Sequence, residues 1–297
     1  MNMSDIPTAV PPNGLDVIIR IHDPGRGFEL RRAIFSLVCQ SYRPIKIHLV
    51  TQRFPTAEID ALRKAVNNIL AIDPSVCLEM YNYTAPEPED ARAALLNIGL
   101  THGTGRYLAF LDHDDTIYAH AYARLVEELN ITESAIAFAR IAVKEVEVLQ
   151  DAFLVQKRTY RLIGQTLIDM FHENFCPIHS FIIDRTKVDS RDLWFDERLS
   201  KLEDHDFLLR ICSKYKSSFG LIDEPAGDYY LKTDGSNTAT VPALESTEPS
   251  PKWAAARTFI ENRRRELVLS PAVQRSLGVY PPDPKLTIRK LLDTIEA

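Results

Sequence analysis

The first half of the chain alternates between two hydrophobic periods. Leu15-Asp-Val-Ile-Ile-Arg-Ile21 is a nearly continuous apolar run, the pattern of a buried strand. A turn at Asp23-Pro-Gly-Arg-Gly27 separates it from a helical stripe at Leu30, Ala33, Ile34, Leu37 and Val38. The cycle then repeats twice. Ile45 to Val50 predicts a second strand, followed by a helical stripe at Leu62, Ala65, Val66, Ile69 and Leu70. Val76 to Tyr81 predicts a third, and after Pro86 and Pro88 comes a helix with Ala91, Ala94, Leu95 and Ile98 on one face. Gly99, Gly103 and Gly105 break the chain before another apolar run, Tyr107 to Leu111. Strands alternating with helices across short connections predict an α/β fold with a mostly parallel sheet, covered on both faces.

Beyond Asp115 the order loosens. Helices are expected over Ala119 to Leu129 and over Glu203 to Ser213, the latter with Phe207, Leu208 and Ile211 inward. Ser134 to Val148 is rich in strand formers and fits either one long bent strand or a hairpin. Phe181 to Asp184, Phe219 to Ile222 and Asp228 to Leu231 read as short extended pieces. After Thr233 the composition shifts to Pro, Ser, Thr and Glu. A charged helix over Trp253 to Glu266 and short helices around Pro281-Pro-Asp-Pro284 follow. The expected organisation is a flexible N-terminus over residues 1–14, a catalytic unit over 15–240 and a C-terminal helical extension over 241–297.

Composition excludes several classes. The 297 residues are 45% hydrophobic and carry a net charge of -6, against the basic field of a nucleic-acid binder. No apolar run approaches the roughly 18 residues of a membrane span, and Met1 to Pro12 lacks a signal-peptide pattern. Cys39, Cys77, Cys176 and Cys212 are too scattered for a zinc site or a disulfide frame. A soluble cytoplasmic protein is the expectation.

The strongest chemical signal is Arg106-Tyr-Leu-Ala-Phe-Leu-Asp-His-Asp-Asp115, an apolar strand ending in Asp112, Asp114 and Asp115. Clustered anions repel. They need a divalent cation, a protonated member or exposure to water. Strand ends are also where open α/β sheets bind ligands. A second acidic segment, Glu203-Asp-His-Asp206 followed by Arg210, opens a predicted helix. There the acids suit the helix N-terminus, and Asp206 and Arg210 are spaced for an (i, i+4) pair.

In this order and spacing, several segments together resemble the family 2 inverting glycosyltransferases of the GT-A fold. They are Ser36-Leu-Val-Cys-Gln-Ser-Tyr-Arg-Pro44, Asn97-Ile-Gly99, Gly105-Arg-Tyr107, Phe110-Leu-Asp-His-Asp-Asp115, Phe195-Asp-Glu197 and Glu203-Asp-His-Asp206. The resemblance runs from about Leu15 to Asn237 and implies a Rossmann-like central sheet with helices on both faces. It implies that Asp112-His-Asp114 is the Asp-x-Asp motif. Asp112 would face the donor ribose or the metal shell, and Asp114 would bind the Mn2+ or Mg2+ held by a nucleotide-diphosphate sugar. His113 counts with the donor-binding residues. Asp204 is the implied general base, and Glu203 positions the acceptor or caps the helix.

Departures from the family pattern shape the donor pocket. Arg20-Ile-His-Asp23 stands where the family usually has Pro-x-Tyr/His-Asn, leaving Arg20, His22 and Asp23 as donor-binding candidates. Thr51-Gln-Arg-Phe54 replaces Asp-Asp-Gly-Ser, so Thr51 takes the place of the base-contacting acid. Arg92 fits the base- or phosphate-side arginine. The late histidine ligand of many members is missing from Tyr230-Leu-Lys-Thr-Asp-Gly-Ser-Asn237, a polar segment with the pattern of a lid, where Lys232 or Asp234 can approach the diphosphate. His179 is a candidate for lining the acceptor cleft.

The implied activity is metal-dependent hexosyl or deoxyhexosyl transfer from a UDP- or dTDP-type donor to a hydroxyl of a glycan or glycoconjugate acceptor. The setting the resemblance implies is synthesis of a bacterial surface polysaccharide or similar glycoconjugate, in the cytoplasm or at the inner face of the membrane. Two alternatives stand beside it. Asp112-His-Asp-Asp-Thr116 also matches the Asp-x-Asp-x-Thr signature of haloacid dehalogenase-like phosphatases, and a degenerate GT-A-like domain would bind without catalysis. For the C-terminal extension, with Trp253, Phe259 and Arg263-Arg-Arg265, the favoured reading is a packing helix; a membrane-surface or partner-protein contact is the alternative.

Overall fold

A computed structural model describes residues 13–150, 152–159, 162–234, 237 and 250–296. Residues 1–12 of the expected N-terminal arm, the 240/241 boundary, and Gly235 and Ser236 of the expected lid lie outside the described residues. Strand β1 (Leu15–Ile21) runs parallel between β2 (Ile45–Gln52) and β4 (Tyr107–Asp112), and β3 (Val76–Tyr83) extends this set beyond β2. Helices α1 (Gly27–Val38), α2 (Thr56–Leu70) and α3 (Arg92–His102) are the crossovers. This is the strand–helix alternation read from the apolar periods.

The other half of the sheet is mixed. Strand β8 (Phe181–Asp184) pairs antiparallel with both β4 and β6 (Ile136–Leu149). Next come β9 (Ser217–Lys232), parallel to β6, and the two-residue β5 (Thr116–Ile117), antiparallel to β9. The full order is β3-β2-β1-β4-β8-β6-β9-β5. Strand β7 (Ala152–Thr159) pairs with the later part of β6, from Val143 to Leu149. The segment after Ser134 is thus one long strand. The hairpin it forms with β7 escaped the sequence reading because Gln156, Lys157 and Arg158 are exposed and polar. The two short pieces after Phe219 are one strand, broken in register by shifts between Ala137 and Ile141 of β6. Helix α5 (Leu167–His172) was also missed, although Thr166 and Asp169 cap it reciprocally.

Alternate residues of the central strands feed two cores. Val17, Ile19 and Ile21 of β1 face one core with α1, α2 and α4 (Ala121–Thr132). Ile18, Leu108 and Phe110 face the other, with α3, α5 and α6 (Glu203–Lys214). Helix α3 approaches β1 so closely that a Cβ at Gly99 would lie 2.5 Å from Ile18 Cγ2. That contact excludes any side chain there.

Helices α7 (Pro251–Glu266), α8 (Pro271–Ser276) and α9 (Ile288–Glu296) share the second core. Ile260, Val273, Ile288 and Leu292 are buried in it, and full burial of each is worth about 1.5–3 kcal/mol. Arg263 turns inward to Asp206 (2.6 Å) and Asp196 (2.9 Å). Arg264 donates to the Phe171 and His172 carbonyls, and Arg265 pairs with Glu261. The basic run therefore packs against its own chain. Among the described residues no helix is long and apolar enough to cross a membrane.

Candidate active site at the carboxyl ends of the central strands

Parallel pairing of β1 and β4 sets Arg20 opposite Asp112 at the carboxyl end of the sheet. The Arg20 guanidinium grips that carboxylate twice, Nε to Oδ1 at 2.8 Å and Nη2 to Oδ2 at 3.3 Å. Its remaining nitrogen, Nη1, donates to Glu203 Oε1 at 2.7 Å. One arginine thus ties the end of β4 to the start of α6. Five fixed donors on a planar group make such a bridge possible, and a lysine has no equivalent. Glu203 spends its side chain on Arg20, and the N-cap residue of α6, Leu202, makes no side-chain cap. Leu202 adopts φ 60 and ψ 22, in the left-handed region, at a cost of about 1–2 kcal/mol for a residue bearing a Cβ. That strained residue aims the acid pair. As expected, Asp206 and Arg210 form their (i, i+4) pair, at 2.9 Å.

Each of the three strand-end acids is neutralised differently. Burial alone would raise Asp112, but the Arg20 charge and hydrogen bonds outweigh it and hold the carboxyl below its usual range. Burial is likewise overcome at Asp114, by the neighbouring His113 and by Lys232, whose Nζ lies 2.7 Å from Oδ2. Lys232 is buried and also 3.9 Å from Glu29. Asp115 goes the other way. Burial, then the charges of Asp114 and Asp112, push it well above the ordinary carboxylate value. Its Oδ1 accepts from the Tyr230 N–H, and its Oδ2 lies 3.4 Å from Nδ1 of buried His179. Burial pulls that imidazole down to about 4, favouring its neutral form, to which a protonated Asp115 can donate. The sequence pattern called for a metal, a proton or water. The tertiary structure adds two basic side chains.

Asp204 is only half-buried. Its Oδ1 accepts from the His205 N–H at 2.8 Å. Burial, then the adjacent Glu203 charge, pushes its pKa up to about 7. A carboxylate tuned to that range can take a proton at neutral pH.

These groups open onto one cavity of about 970 Å³. Arg20, His22, Arg92, Asp112, His113 and Asp114 line it, as do Glu203 and Asp204. Arg92 pairs with Asp90 at 2.8 Å and lies 4.0 Å from Glu203. Three candidates are not among the lining residues: Asp234 of the expected lid, Asp23 and Thr51. The Asp23 side chain accepts from the Gly25 N–H and caps a short 3-10 turn. Thr51 is buried and donates to Asn82 Oδ1 at 2.8 Å, so the next residue on the pleat, Gln52, lines the cavity in its place. Strand alternation was the signal for Gln52. His179 lines the cavity beside Asp115. Lys201, Trp253 and Arg257 also line it and were missed as site residues, because no chemical motif marks them.

The acid pair fits a metal in one way only. No group of three or more His, Cys, Asp or Glu suited to a metal occurs among the described residues. Asp112 and Asp114 nevertheless keep 25% and 17% of their side-chain surface accessible. A hard cation shared with a diphosphate needs only one or two carboxylates. The pair suits Mg2+ or Mn2+ as a phosphate-shared ion, not as an all-protein cage.

The model of the family described as glycosyl transferase family 2 matches residues 29–190, more than half of the 297 residues. That span runs from α1 past β8 and sets aside the phosphatase reading of Asp112 to Thr116. No curated protein matches the chain. Among solved structures, S. aureus TarS 1–349 superposes with a TM-score of 0.57 at 14% identity, over 87% of this chain and 67% of that one. Its complex with UDP-GlcNAc gives 0.59 at 13% identity, over 87% and 68%. A longer S. aureus TarS structure gives 0.54 at 15%, over 87% and 41%. At such identities the likeness is one of fold, and it agrees with the GT-A architecture expected from the resemblance.

Proposed function

This chain belongs to glycosyl transferase family 2, and on that premise we propose an inverting transfer of a sugar from a nucleoside-diphosphate donor to an acceptor hydroxyl. Arg20 carries the reading: by bridging Asp112 and Glu203 it brings the strand-end acids and the helix-start acids to one cavity. Asp204 is the general base. It takes the proton of the acceptor hydroxyl as that oxygen bonds to the anomeric carbon, an effect worth roughly 10²- to 10⁴-fold. The bond to the diphosphate breaks on the opposite face, its electrons leave with the phosphate oxygen, and the configuration inverts. Glu203 stays with Arg20 and positions the base.

Asp114, with Asp112 beside it, would hold Mg2+ or Mn2+ together with the donor diphosphate. Such an ion offsets the charge that builds on the leaving group. Lys232, already at Asp114, brings a second positive charge to the same place. Arg20, His22, Arg92 and His113 border the donor, with Gln52 in the position expected of Thr51.

UDP- and dTDP-sugars are the first donors to try, a choice supported by the UDP-GlcNAc complex of TarS. A glycan or glycoconjugate acceptor, a cytoplasmic reaction and a role in surface polysaccharide synthesis follow from the family resemblance alone. We take residues 15–240 as the catalytic unit and 241–297 as the extension, whose helix α7 lines the cavity. The test is a donor panel with and without Mg2+ or Mn2+, the product's anomeric configuration being read by NMR. The expected result is ion-dependent turnover of one donor with inversion. Retention of configuration would overturn the mechanism, and failure of every donor to bind would leave a degenerate binding domain.

A further inference from the structure

At the floor of the cavity every cation has an anionic partner: Arg20 with Asp112 and Glu203, Lys232 with Asp114, Arg92 with Asp90 and Arg26 with Glu29. At its rim the balance reverses. Lys201, just before α6, and Lys252 and Arg257, on α7, line the same cavity. None of the three forms an ion pair among the described residues. Lys252 and Arg257 are exposed, but Lys201 is half-buried. Burial, then the like charge of Arg92, with a further contribution from Lys252, lowers its pKa. Lys201 is thus close enough to Arg92 and Lys252 to feel their charge.

Asp90 and Glu203 offset part of this at Lys201, but each is already paired, with Arg92 and with Arg20. Glu261 of α7 is engaged by Arg264 and Arg265, and Glu89 and Glu173 border the cavity without an ion pair to the rim. Trp253 lies between the exposed cations in sequence, with its ring 5.9 Å from Lys201 Nζ. Its flat apolar face, flanked by positive charge, is a surface on which a sugar ring can stack while a charged substituent reaches a lysine or arginine. Lys201 precedes the proposed base by three residues, across the left-handed Leu202. The rim therefore borders the side of the cavity from which a hydroxyl would reach Asp204.

We propose that the acceptor is an anionic glycan, whose phosphate or carboxylate groups are held by Lys201, Lys252 and Arg257 while a ring rests on Trp253. This rests on the assignment of Asp204 as base, and it names the acceptor class that assignment leaves open. The test is calorimetric binding of three probes: maltohexaose, phosphorylated maltohexaose and hexagalacturonate. At 50 mM salt the two charged probes, or one of them, should bind at least tenfold more tightly than maltohexaose, and 500 mM salt should erase most of the difference. Which charged probe binds better separates phosphate from carboxylate.

Replacing the rim together (Lys201→Ala, Lys252→Ala, Arg257→Ala) should abolish the preference while leaving UDP-sugar binding as it was. Lys252→Glu with Arg257→Glu changes only exposed residues, should do the same, and guards against misfolding of the triple variant. Equal affinity for charged and neutral probes, or a preference that survives both variants, would overturn the proposal. Loss of UDP-sugar binding in the variants would overturn it too, by assigning the rim to the donor. A chain that binds no nucleotide sugar but still selects charged probes would overturn the transferase reading, and with it the word acceptor, while upholding the rim as an anionic-glycan site.

Discussion

The end of β4 and the start of α6 each present acids to the same cavity, yet the two places treat them oppositely. At β4, Asp112 is gripped by Arg20 and Asp114 by Lys232, and both stay ionised against their burial. At α6 the same arginine reaches Glu203 and stops there. Asp204 has a like-charged neighbour, one backbone N–H and only the through-space pull of the Arg20 charge, too little to offset its burial. Where the basic side chains end, so does the suppression of the pKa. Two carboxylates whose environments drive them apart are the mark of divided roles, and the proposed mechanism divides them so: permanent anions for the donor side, a proton acceptor for the other.

The comparison breaks most severely at Asp204. Asp204→Asn should lower transfer by about 10²- to 10⁴-fold with nucleotide-sugar binding retained, as measured by initial rates and calorimetry. Undiminished turnover would remove α6 from the chemistry. Arg20→Met comes next, because it strands Asp112 and Glu203 together. A loss of about 3–5 kcal/mol in urea unfolding is expected. Arg20→Lys should restore little of it, since an ammonium cannot reproduce the bidentate grip on one acid while reaching the other.

The pH profile sharpens the contrast. As the proposed base, Asp204 would act only when ionised, so transfer should be level above pH 7 and fall about tenfold per unit as pH drops below that value and the carboxyl protonates. Glu203→Gln removes the like charge and should move this limb to lower pH. The shift will be partial, because burial is the larger cause and remains. The smallest effect belongs to Asp115→Asn. If that carboxyl is already protonated, an amide keeps the acceptor for the Tyr230 N–H and a donor for His179. Thermal unfolding should then change by no more than about 1 kcal/mol. The same change at Asp114 unpairs buried Lys232 and should cost more.

The parallel half of the sheet was legible because β1, β2 and β4 are buried on both faces and flanked by amphipathic helices. Periodicity reports burial directly. The hairpin of β6 and β7 was not, since a ribbon with polar, exposed residues carries no such contrast. Asp112, Asp114, Glu203 and Asp204 stood out as clustered acids in a recognisable order. Thr51 was placed by homology of position, and the pleat turned its neighbour to the cavity instead. Lys201, Trp253 and Arg257 had no signal, because each becomes a site residue only when α7 folds back over α6.

The order of residues along the chain determined, by itself, the alternating architecture, the two acidic segments and the family they resemble. All of these are local patterns or spacings between them. Which charges meet was decided only in three dimensions. Arg20 lies 92 residues from Asp112 and 183 from Glu203, and no one-dimensional pattern couples positions so far apart. Strand register and helix packing do, and the electrostatics of the site follow from them.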